Sequence, residues 1–292
     1  MAATRRRADT TPFERFLAID WTGARGRRHR AIQAADCPIG DQAPRLLRPD
    51  EPWSRDEIRE LIQQLADRRE RVLIGLDCSF SLPFADRGAY FPGDASEPRT
   101  PRELWHEVDR LSVDEPDLGA HAYVEHRRRH FWCGAADGVR RPFARLRVAE
   151  AVYRERRMGY PSSPFVLVGA GQVGKGTLSG MRLLARLHGV PVWPFDPRPS
   201  QGPCLVEIYC QTFALDGGFR GKLRARRDLD DALVRLGSRR STRLPAQFDD
   251  HVGDALVSAA GLRRVAPLPA YWQPEAMTPT IAATEGWTFG IL

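Results

Sequence analysis

Lysine is almost absent from this sequence of 292 residues. Only Lys175 and Lys222 occur among its 44 cationic side chains, and all the others are arginines. The formal net charge is +7, and arginine binds phosphate groups in a bidentate manner, so a nucleic-acid partner is compatible with this composition. A GC-rich coding bias is the alternative explanation, because the arginines are spread along the whole chain.

Paired cysteines and long apolar runs are also missing. The five cysteines are odd in number and include no Cys-x-x-Cys pair, which argues against a disulfide framework and against a zinc knuckle. No apolar run reaches the roughly 18 residues of a membrane span. The first residues lack the apolar segment of a secretory signal. We therefore expect a cytoplasmic protein that does not enter a membrane.

Apolar runs of strand length alternate with patterns of helical period, which predicts an α/β fold. Ser54 and Glu57 form a capping box that opens one helix, and a later helix begins near Asp249. Residues 29–35 are a candidate hairpin partner of the first strand. The predicted strands are 16–20, 72–77, 165–169, 190–195 and 204–210.

The chain is expected to contain three regions. Residues 1–14 are predicted to form a disordered basic tail, and 15–265 a single α/β domain. Within that domain, 84–143 has little periodicity and is predicted to be an insertion. The Pro-rich segment 266–292 is predicted to be a C-terminal extension that packs onto the domain.

Carboxylates occur where predicted strands end. Asp20 and Asp77 each close an apolar strand, and Glu207 lies in a third. Open α/β sheets bind ligands at the carboxyl ends of their strands, so these side chains are candidates for one site. Two neighbouring carboxylates repel each other unless a cation lies between them, and oxygen ligands favour Mg²⁺ or Mn²⁺. The alternative for a single strand-end aspartate is a role in a turn.

The predicted final helix adds three polar side chains at helical spacing. Asp250, His251 and Asp254 share one face, because positions i, i+3 and i+4 are neighbours on a helix. They are candidate metal ligands and catalytic groups. A solvated polar face is the alternative for this set, and an N-cap role is the alternative for Asp249 or Asp250.

The order of these parts resembles that of the ribonuclease H-like superfamily. Within it, the chain is most similar to an uncharacterised family, domain of unknown function number 429. The motifs that carry the similarity are Ala18-Ile-Asp20, Gly75-Leu-Asp77 with Ser81-Leu-Pro83, Val206-Glu207-Ile-Tyr209 and Asp254-Ala-Leu-Val-Ser-Ala259. Where the family has Asp-x-x-Asp on its last helix, this chain has His251-x-x-Asp254, a form found in some bacterial Holliday-junction resolvases.

This resemblance implies a mixed sheet flanked by helices, with Asp20 and Asp77 on adjacent parallel strands. It also implies a Mg²⁺- or Mn²⁺-dependent nuclease or related phosphodiester hydrolase. Its catalytic residues would be Asp20, Asp77, Asp254 and His251, with Glu207 and Asp250 as further candidate metal ligands. Arginine clusters such as 127–129 would hold the phosphate backbone. A non-catalytic nucleic-acid-binding module on the same fold is an alternative.

A competing motif lies at 169–177, where Gly-rich sequence leads into a helix. It resembles a phosphate-binding P-loop, with Gly174, Lys175 and Thr177 as candidate nucleotide contacts, and would indicate an ATP-dependent phosphotransferase. The motif departs from the strict form because Gly176 separates the lysine from the threonine. In addition, no predicted strand after it ends in the aspartate that such sites use for Mg²⁺. The turn 20–23 similarly resembles the first phosphate loop of actin-like and sugar-kinase ATPases.

Overall fold

The computed structural model describes residues 11–169, 171–241, 243–245 and 248–292. These residues include a six-stranded mixed sheet. The strand order is β3-β2-β1-β4-β6-β5. The strands are β1 (Arg15–Asp20), β2 (Gln33–Pro38), β3 (Arg45–Leu46), β4 (Val72–Leu76), β5 (Val192–Trp193) and β6 (Cys204–Glu207). The α/β class that the sequence predicts is confirmed.

Four neighbouring strands run parallel and bring their carboxyl ends to one edge of the sheet. β1 pairs in parallel with β4, β4 with β6, and β6 with β5. β2 is antiparallel to β1 and begins at Gln33, four residues later than the predicted hairpin partner. Ile19 lies beside Leu76 in the register, so the residues that follow, Asp20 and Asp77, come to the same edge.

Nine α-helices in the described ranges flank this sheet. They are α1 (Arg55–Asp67), α2 (Pro101–Leu111), α3 (His121–His126), α4 (Val148–Glu155), α5 (Gly174–Ala185), α6 (Cys210–Asp216), α7 (Arg226–Arg235), α8 (Asp250–Val265) and α9 (Pro279–Thr284). None of these helices has both the length and the apolar character needed to cross a membrane.

Alternate side chains of each strand build two separate cores. Phe16 and Ala18 face the core formed with α4, α6, α7 and α8. Leu17 and Ile19 face the core formed with α1, α2 and α5. This two-sided burial explains why β1 and β4 are almost continuously apolar, as strands covered on both faces are.

Local capping signals in the sequence are confirmed at the helix ends. The Ser54 hydroxyl accepts a hydrogen bond from the Glu57 backbone N–H, and the Glu57 carboxylate accepts one from the Ser54 backbone N–H, which completes the capping box of α1. Asp249 caps α8 by accepting from the backbone N–H of Val252 at 3.0 Å. These caps fix where each helix begins, because they satisfy N–H groups that have no partner inside the helix.

Three strand predictions are wrong in whole or in part. The predicted strand 190–195 is reduced to the two residues of β5, Val192–Trp193. The segment 165–169 forms only an isolated bridge between Val166 and Trp132, and it is not part of the sheet. Its apolar residues are buried as a loop, with Phe165 packed in an aromatic cluster. The predicted strand 204–210 ends at Glu207, and α6 begins at Cys210. A short apolar run specifies burial, but it does not distinguish a strand from a buried loop.

The predicted terminal regions pack together where the structure describes them. Residues 1–10 of the predicted tail lie outside the described residues, whereas Phe13 is buried and stacks on Trp272 of the extension 266–292. The extension then returns to the sheet, where the Phe289 backbone N–H donates to the Glu207 carbonyl at 2.8 Å. The Ser81 hydroxyl donates to the Thr284 carbonyl at 2.7 Å.

Candidate metal centre and adjoining cavity

Asp20 and Asp77 meet at the carboxyl edge of the sheet, next to the thiol of Cys210. One carboxylate oxygen from each aspartate and the Cys210 sulfur lie within 4.8 Å of one another. Asp20 is buried and Asp77 is half-buried. The three residues come from the ends of β1 and β4 and from the start of α6, so the parallel pairing of the strands brings them together.

Both carboxyl groups hold their protons more tightly than usual. Burial raises the pKa of Asp20 and raises that of Asp77 well above its usual value. The charge of Asp20 raises the pKa of Asp77 further, while hydrogen bonds from Cys210 partly offset this rise. A divalent cation between the two carboxylates would remove their repulsion.

The donor atoms at this position suit a cation that prefers oxygen. Burial, assisted by the charge of Asp77, raises the pKa of the Cys210 thiol well above its usual value. The other two donors, from Asp20 and Asp77, are carboxylate oxygens, and Mg²⁺ and Mn²⁺ fit those oxygens.

α8 contributes two further groups on the side that faces Asp20. His251 Nδ1 lies 2.7 Å from Asp20 Oδ2, and this hydrogen bond raises the pKa of His251. Burial and then the charge of Asp20 raise the pKa of Asp254 to about 6. Both side chains are therefore within electrostatic reach of the strand-end carboxylates.

Lys222 neutralises part of this cluster, and the sequence did not predict it as a site residue. Its Nζ lies 2.7 Å from Asp250 Oδ2 and 3.6 Å from Asp254 Oδ2. Arg224 also pairs with Asp250, at 3.2 Å. Although burial opposes the change, the hydrogen bond from Lys222 lowers the pKa of Asp250 to about 2. Asp250 is thus held in ion pairs beside the site. The available sequence signal was the rarity of lysine itself.

Glu207, a predicted metal ligand, has both carboxylate oxygens engaged by protein donors. Its carboxylate accepts hydrogen bonds from both terminal nitrogens of Arg147, from the Phe80 backbone N–H at 2.7 Å and from the Thr288 hydroxyl at 2.5 Å. Glu207 is 3% exposed, and Arg147 also pairs with Glu150. Because protein donors engage both oxygens, we do not include Glu207 among the proposed metal ligands.

A cavity of about 330 Å³ opens beside Asp77. Its wall includes the loop that follows β1, the loop that follows β4, and the first turn of α5. Residues that matter for its chemistry are Trp21, Gly23, Asp77, Lys175 and Tyr209. Small-molecule sites in proteins span about 300–1,000 Å³, so this cavity can hold one compact ligand.

No protein-family model matches the chain, and no curated protein or solved structure matches it significantly. The chemistry of the residues around Asp20 and Asp77 is therefore the basis for assigning a function.

The Gly-rich motif at 169–177 serves the packing of α5 in addition to lining the cavity. A Cβ on Gly23 would overlap the backbone of Lys175 and Gly176, and one on Gly180 would overlap the Cys78 sulfur. Trp21 Nε1 donates to the Gly176 carbonyl at 3.1 Å. These close contacts hold α5 against the loops that follow β1 and β4.

The structural context of a P-loop is missing around this motif. The residues before it, 165–169, form no strand of the sheet. Gly174 begins α5 and Thr177 is buried, with a hydroxyl that has no hydrogen-bond partner among the described residues. Lys175 is exposed and lines the cavity. Of the three candidate nucleotide contacts, Lys175 is therefore the one placed to meet a ligand.

Arg55 holds the loop that follows β1 in place. Its guanidinium donates to the Thr22 carbonyl at 2.9 Å and to the Ala24 carbonyl at 2.5 Å. The same guanidinium pairs with Asp117 at 3.0 Å, and His29 contacts that carboxylate at 2.7 Å. The cavity wall formed by this loop is therefore fixed by buried contacts before any ligand binds.

The arginines at 127–129 have partners within the protein. Arg127 is buried and pairs with Asp94 and Glu107. Arg128 pairs with Asp137, and Arg129 pairs with Asp94. The expectation that this cluster contacts a phosphate backbone does not fit these contacts, because at least Arg127 is committed to buried ion pairs.

Gly23→Ala should destabilise the protein by about 1–3 kcal/mol, because its methyl group would overlap the backbone at the start of α5 and force the helix outward. Gly176→Ala is the matched control. A Cβ there has ordinary contacts of 3.6 Å and 3.8 Å, and alanine favours helices, so stability should be unchanged or raised by up to about 1 kcal/mol. Urea denaturation of both variants measures this, and equal stabilities would contradict the close approach.

Asp254 should make the metal-free protein less stable as pH rises. Because its pKa is raised from the usual 3.8 to about 6, the folded chain binds more protons here than the unfolded chain. The stabilising contribution is full below about pH 4 and is lost by about pH 6, with an upper limit of about 3 kcal/mol. Thermal denaturation with chelator, compared between wild type and Asp254→Asn across pH 4–8, measures it.

In that comparison the wild type should lose stability relative to Asp254→Asn between about pH 4 and pH 6. Added Mg²⁺ or Mn²⁺ should restore the wild type at neutral pH. A wild type that gains stability over the variant in this window would contradict the placement of Asp254 in a repulsive cluster.

Proposed function

We propose that this protein is a divalent-metal-dependent phosphodiester hydrolase, a nuclease with a ribonuclease H-like fold. The observation that carries the proposal is the meeting of Asp20 and Asp77 at the carboxyl edge of the sheet, where one carboxylate oxygen of each lies within 4.8 Å of the other. Asp254 of α8 lies within electrostatic reach of Asp20, which raises its pKa further after burial. Such a set is unstable by itself and is relieved by divalent cations, the cofactors that metal-dependent phosphodiester hydrolysis uses.

The sheet topology supports the superfamily assignment that the sequence motifs imply. The strand carrying Asp20 lies next to and parallel with the strand before Asp77, and an antiparallel hairpin follows the first strand. The final long helix, α8, packs on the same strands and brings His251 to Asp20. This arrangement supports the proposal that two strand-end aspartates and α8 contribute to one metal site.

Asp20 and Asp77 are the residues that would hold the metal, and Asp254 is proposed as a further ligand. When bound, Mg²⁺ or Mn²⁺ supplies Lewis-acid stabilisation of the phosphate and lowers the pKa of water. Lys222 holds Asp254 by an ion pair at 3.6 Å. It thereby restricts the position of that carboxylate and limits the charge that the site presents to an anionic substrate.

His251 is the proposed general acid. Its Nδ1 is held by Asp20 at 2.7 Å, and this hydrogen bond raises the pKa of the imidazole. With Nδ1 held by Asp20, the protonated imidazole can donate its proton from Nε2 to a leaving oxygen.

Metal titration and cleavage assays on the full chain test the proposal. Calorimetry should detect binding of Mn²⁺ and Mg²⁺ that weakens below about pH 6, because protons compete for Asp254. Single-stranded, duplex and branched nucleic acids are then incubated at low salt with Mg²⁺, Mn²⁺ or chelator. Metal-dependent cleavage supports the proposal, and its absence on every substrate would contradict it.

Two other functions give different outcomes in the same assays. A non-catalytic nucleic-acid-binding module would bind these substrates without cleaving them. An ATP-dependent phosphotransferase would bind ATP with Mg²⁺, with affinity lost in Lys175→Ala. The observation that favours the latter is that Lys175 and Asp77 line one cavity. Hydrolysis is preferred because the strand that a P-loop requires before 169–177 is not formed.

A further inference from the structure

The cavity beside Asp77 is built mainly from side chains that the proposed hydrolytic mechanism does not use. It measures about 330 Å³, and Asp77 is one of the residues that line it. Around the rest of the wall lie four aromatic side chains, Trp21, Tyr153, Tyr160 and Tyr209. A site that joins one metal-ligand candidate to an aromatic wall suits a ligand with an anionic end and a planar apolar end.

Three of the aromatic residues are fixed in the fold, and the fourth is free at the rim. Trp21 is held by hydrogen bonds from its Nε1 to the Gly176 carbonyl and the Ser179 hydroxyl. The rings of Tyr153 and Tyr209 pack edge to face, with centroids 5.3 Å apart. Tyr160 is 93% exposed. An exposed tyrosine at the mouth of a preformed cavity is suited to stacking on a planar group that enters it.

Lys175 supplies the positive charge of this cavity. It is the one Lys or Arg among the described residues that line the wall, and it forms no ion pair within the described ranges. The acidic side chains Glu150 and Glu207 also line the wall, but Arg147 already pairs with both. An anionic group inside the cavity would therefore meet Lys175 without displacing an existing partner.

We propose that this cavity binds a single nucleotide unit, with its phosphate between Asp77 and Lys175 and its base against the tyrosines. The placement of the phosphate beside Asp77 rests on the proposed function, because a metal bound at Asp77 would attract the phosphate. The unit is either a free mononucleotide or an unpaired residue of a nucleic-acid strand. A base inside a duplex would have to leave its stack to enter, so single strands and frayed ends are the favoured polymeric substrates.

Binding of AMP and adenosine, in the presence of Mg²⁺, tests the cavity without any cleavage step. Calorimetry is one readout, and a change in the tryptophan fluorescence of the protein is a second, because Trp21 lines the wall. Wild type should bind AMP more tightly than adenosine. Lys175→Ala should weaken AMP binding about fivefold and leave adenosine unchanged, whereas Tyr160→Ala should weaken both about fivefold or more.

Ile39→Ala and Arg68→Ala are the matched controls. Ile39 is an exposed apolar residue and Arg68 an exposed cation, and both lie near the opposite edge of the sheet. Neither should change AMP affinity. Since Tyr160 and Lys175 are exposed, their variants should melt at the wild-type temperature, which circular dichroism checks. No AMP binding by wild type up to about 1 mM, or unchanged affinity in both cavity variants, would overturn the inference.

The source of the nucleotide is resolved by comparing AMP with a short single strand and with a hairpin duplex of the same sequence. Preference for the single strand, lost in Tyr160→Ala, identifies the polymer as the source; binding of AMP alone identifies a mononucleotide. Metal-dependent cleavage that favours duplex interiors, together with no AMP binding by wild type, would support the hydrolase and overturn the cavity proposal. If AMP binding weakens in both variants and no substrate is cleaved, the cavity proposal is supported and the proposed hydrolase function is contradicted.

Discussion

Asp77→Asn should lower metal-dependent cleavage by about 100- to 1,000-fold or more, and Asp20→Asn should have a similar effect. Each replacement removes a charged oxygen ligand from the site where the metal would stabilise the reacting phosphate. Affinity for nucleic acid should be kept or increased, because a negative charge that repels phosphate is lost. Cleavage rates with Mg²⁺ and Mn²⁺, together with binding in chelator, measure the two effects separately.

Asp41→Asn is a suitable control for these variants. Asp41 is exposed and pairs with Arg239 at 3.0 Å, and Ile39 and Pro38 place it near the opposite edge of the sheet. Its replacement should leave cleavage unchanged. Full cleavage by Asp77→Asn would contradict a metal role for that carboxylate, and parallel loss of nucleic-acid binding would point to a folding defect instead.

Arg147→Met should destabilise the protein by about 3–5 kcal/mol, the largest stability effect that we expect. Arg147 is buried, and the substitution leaves the carboxylates of Glu207 and Glu150 buried without their cation. Urea denaturation measures the change. Arg102→Met is the matched control, because the Arg102–Asp196 pair is largely exposed, and such pairs contribute about 0–1 kcal/mol.

A second substitution distinguishes two causes of the lost stability: the unpaired buried carboxylate and the lost packing of the Arg147 side chain. In Arg147→Met with Glu207→Gln, one unpaired carboxylate is neutralised, so the double variant should recover part of the lost stability. Glu207→Gln is also measured alone. If it destabilises Arg147→Met by as much as it destabilises the wild type, the two residues are not coupled. That result would contradict the role assigned to this ion pair.

The sequence was sufficient to predict the parts of the site that depend on local pattern. Asp20 and Asp77 follow apolar runs, and parallel pairing of those runs explains their proximity. His251 and Asp254 follow from helical spacing together with the cap at Asp249. These inferences rely on periodicity and on strand ends, which neighbouring residues in the chain determine.

The remaining features depend on contacts between distant segments. Lys222 reaches α8 from a loop, and nothing near it in the sequence marks that contact. Glu207 looks like another strand carboxylate, but its partners Arg147 and Thr288 lie 60 and 81 positions away. Burial of 165–167 was correctly implied by the apolar character of this segment. Its failure to join the sheet is decided by which segments occupy the sheet edges.

The return of the C-terminal extension to the sheet has a consequence for the order of folding. The hydrogen bond from Ser81 to Thr284 joins residues 203 positions apart, and Thr288 completes the shell around Glu207, three residues before Cys210. Closing a loop of that length loses much chain entropy before any contact is gained, and folds dominated by distant contacts form slowly. The end of β6, and with it the carboxylate cluster, is therefore expected to reach its final geometry late in folding, after the sheet and its local helices have formed.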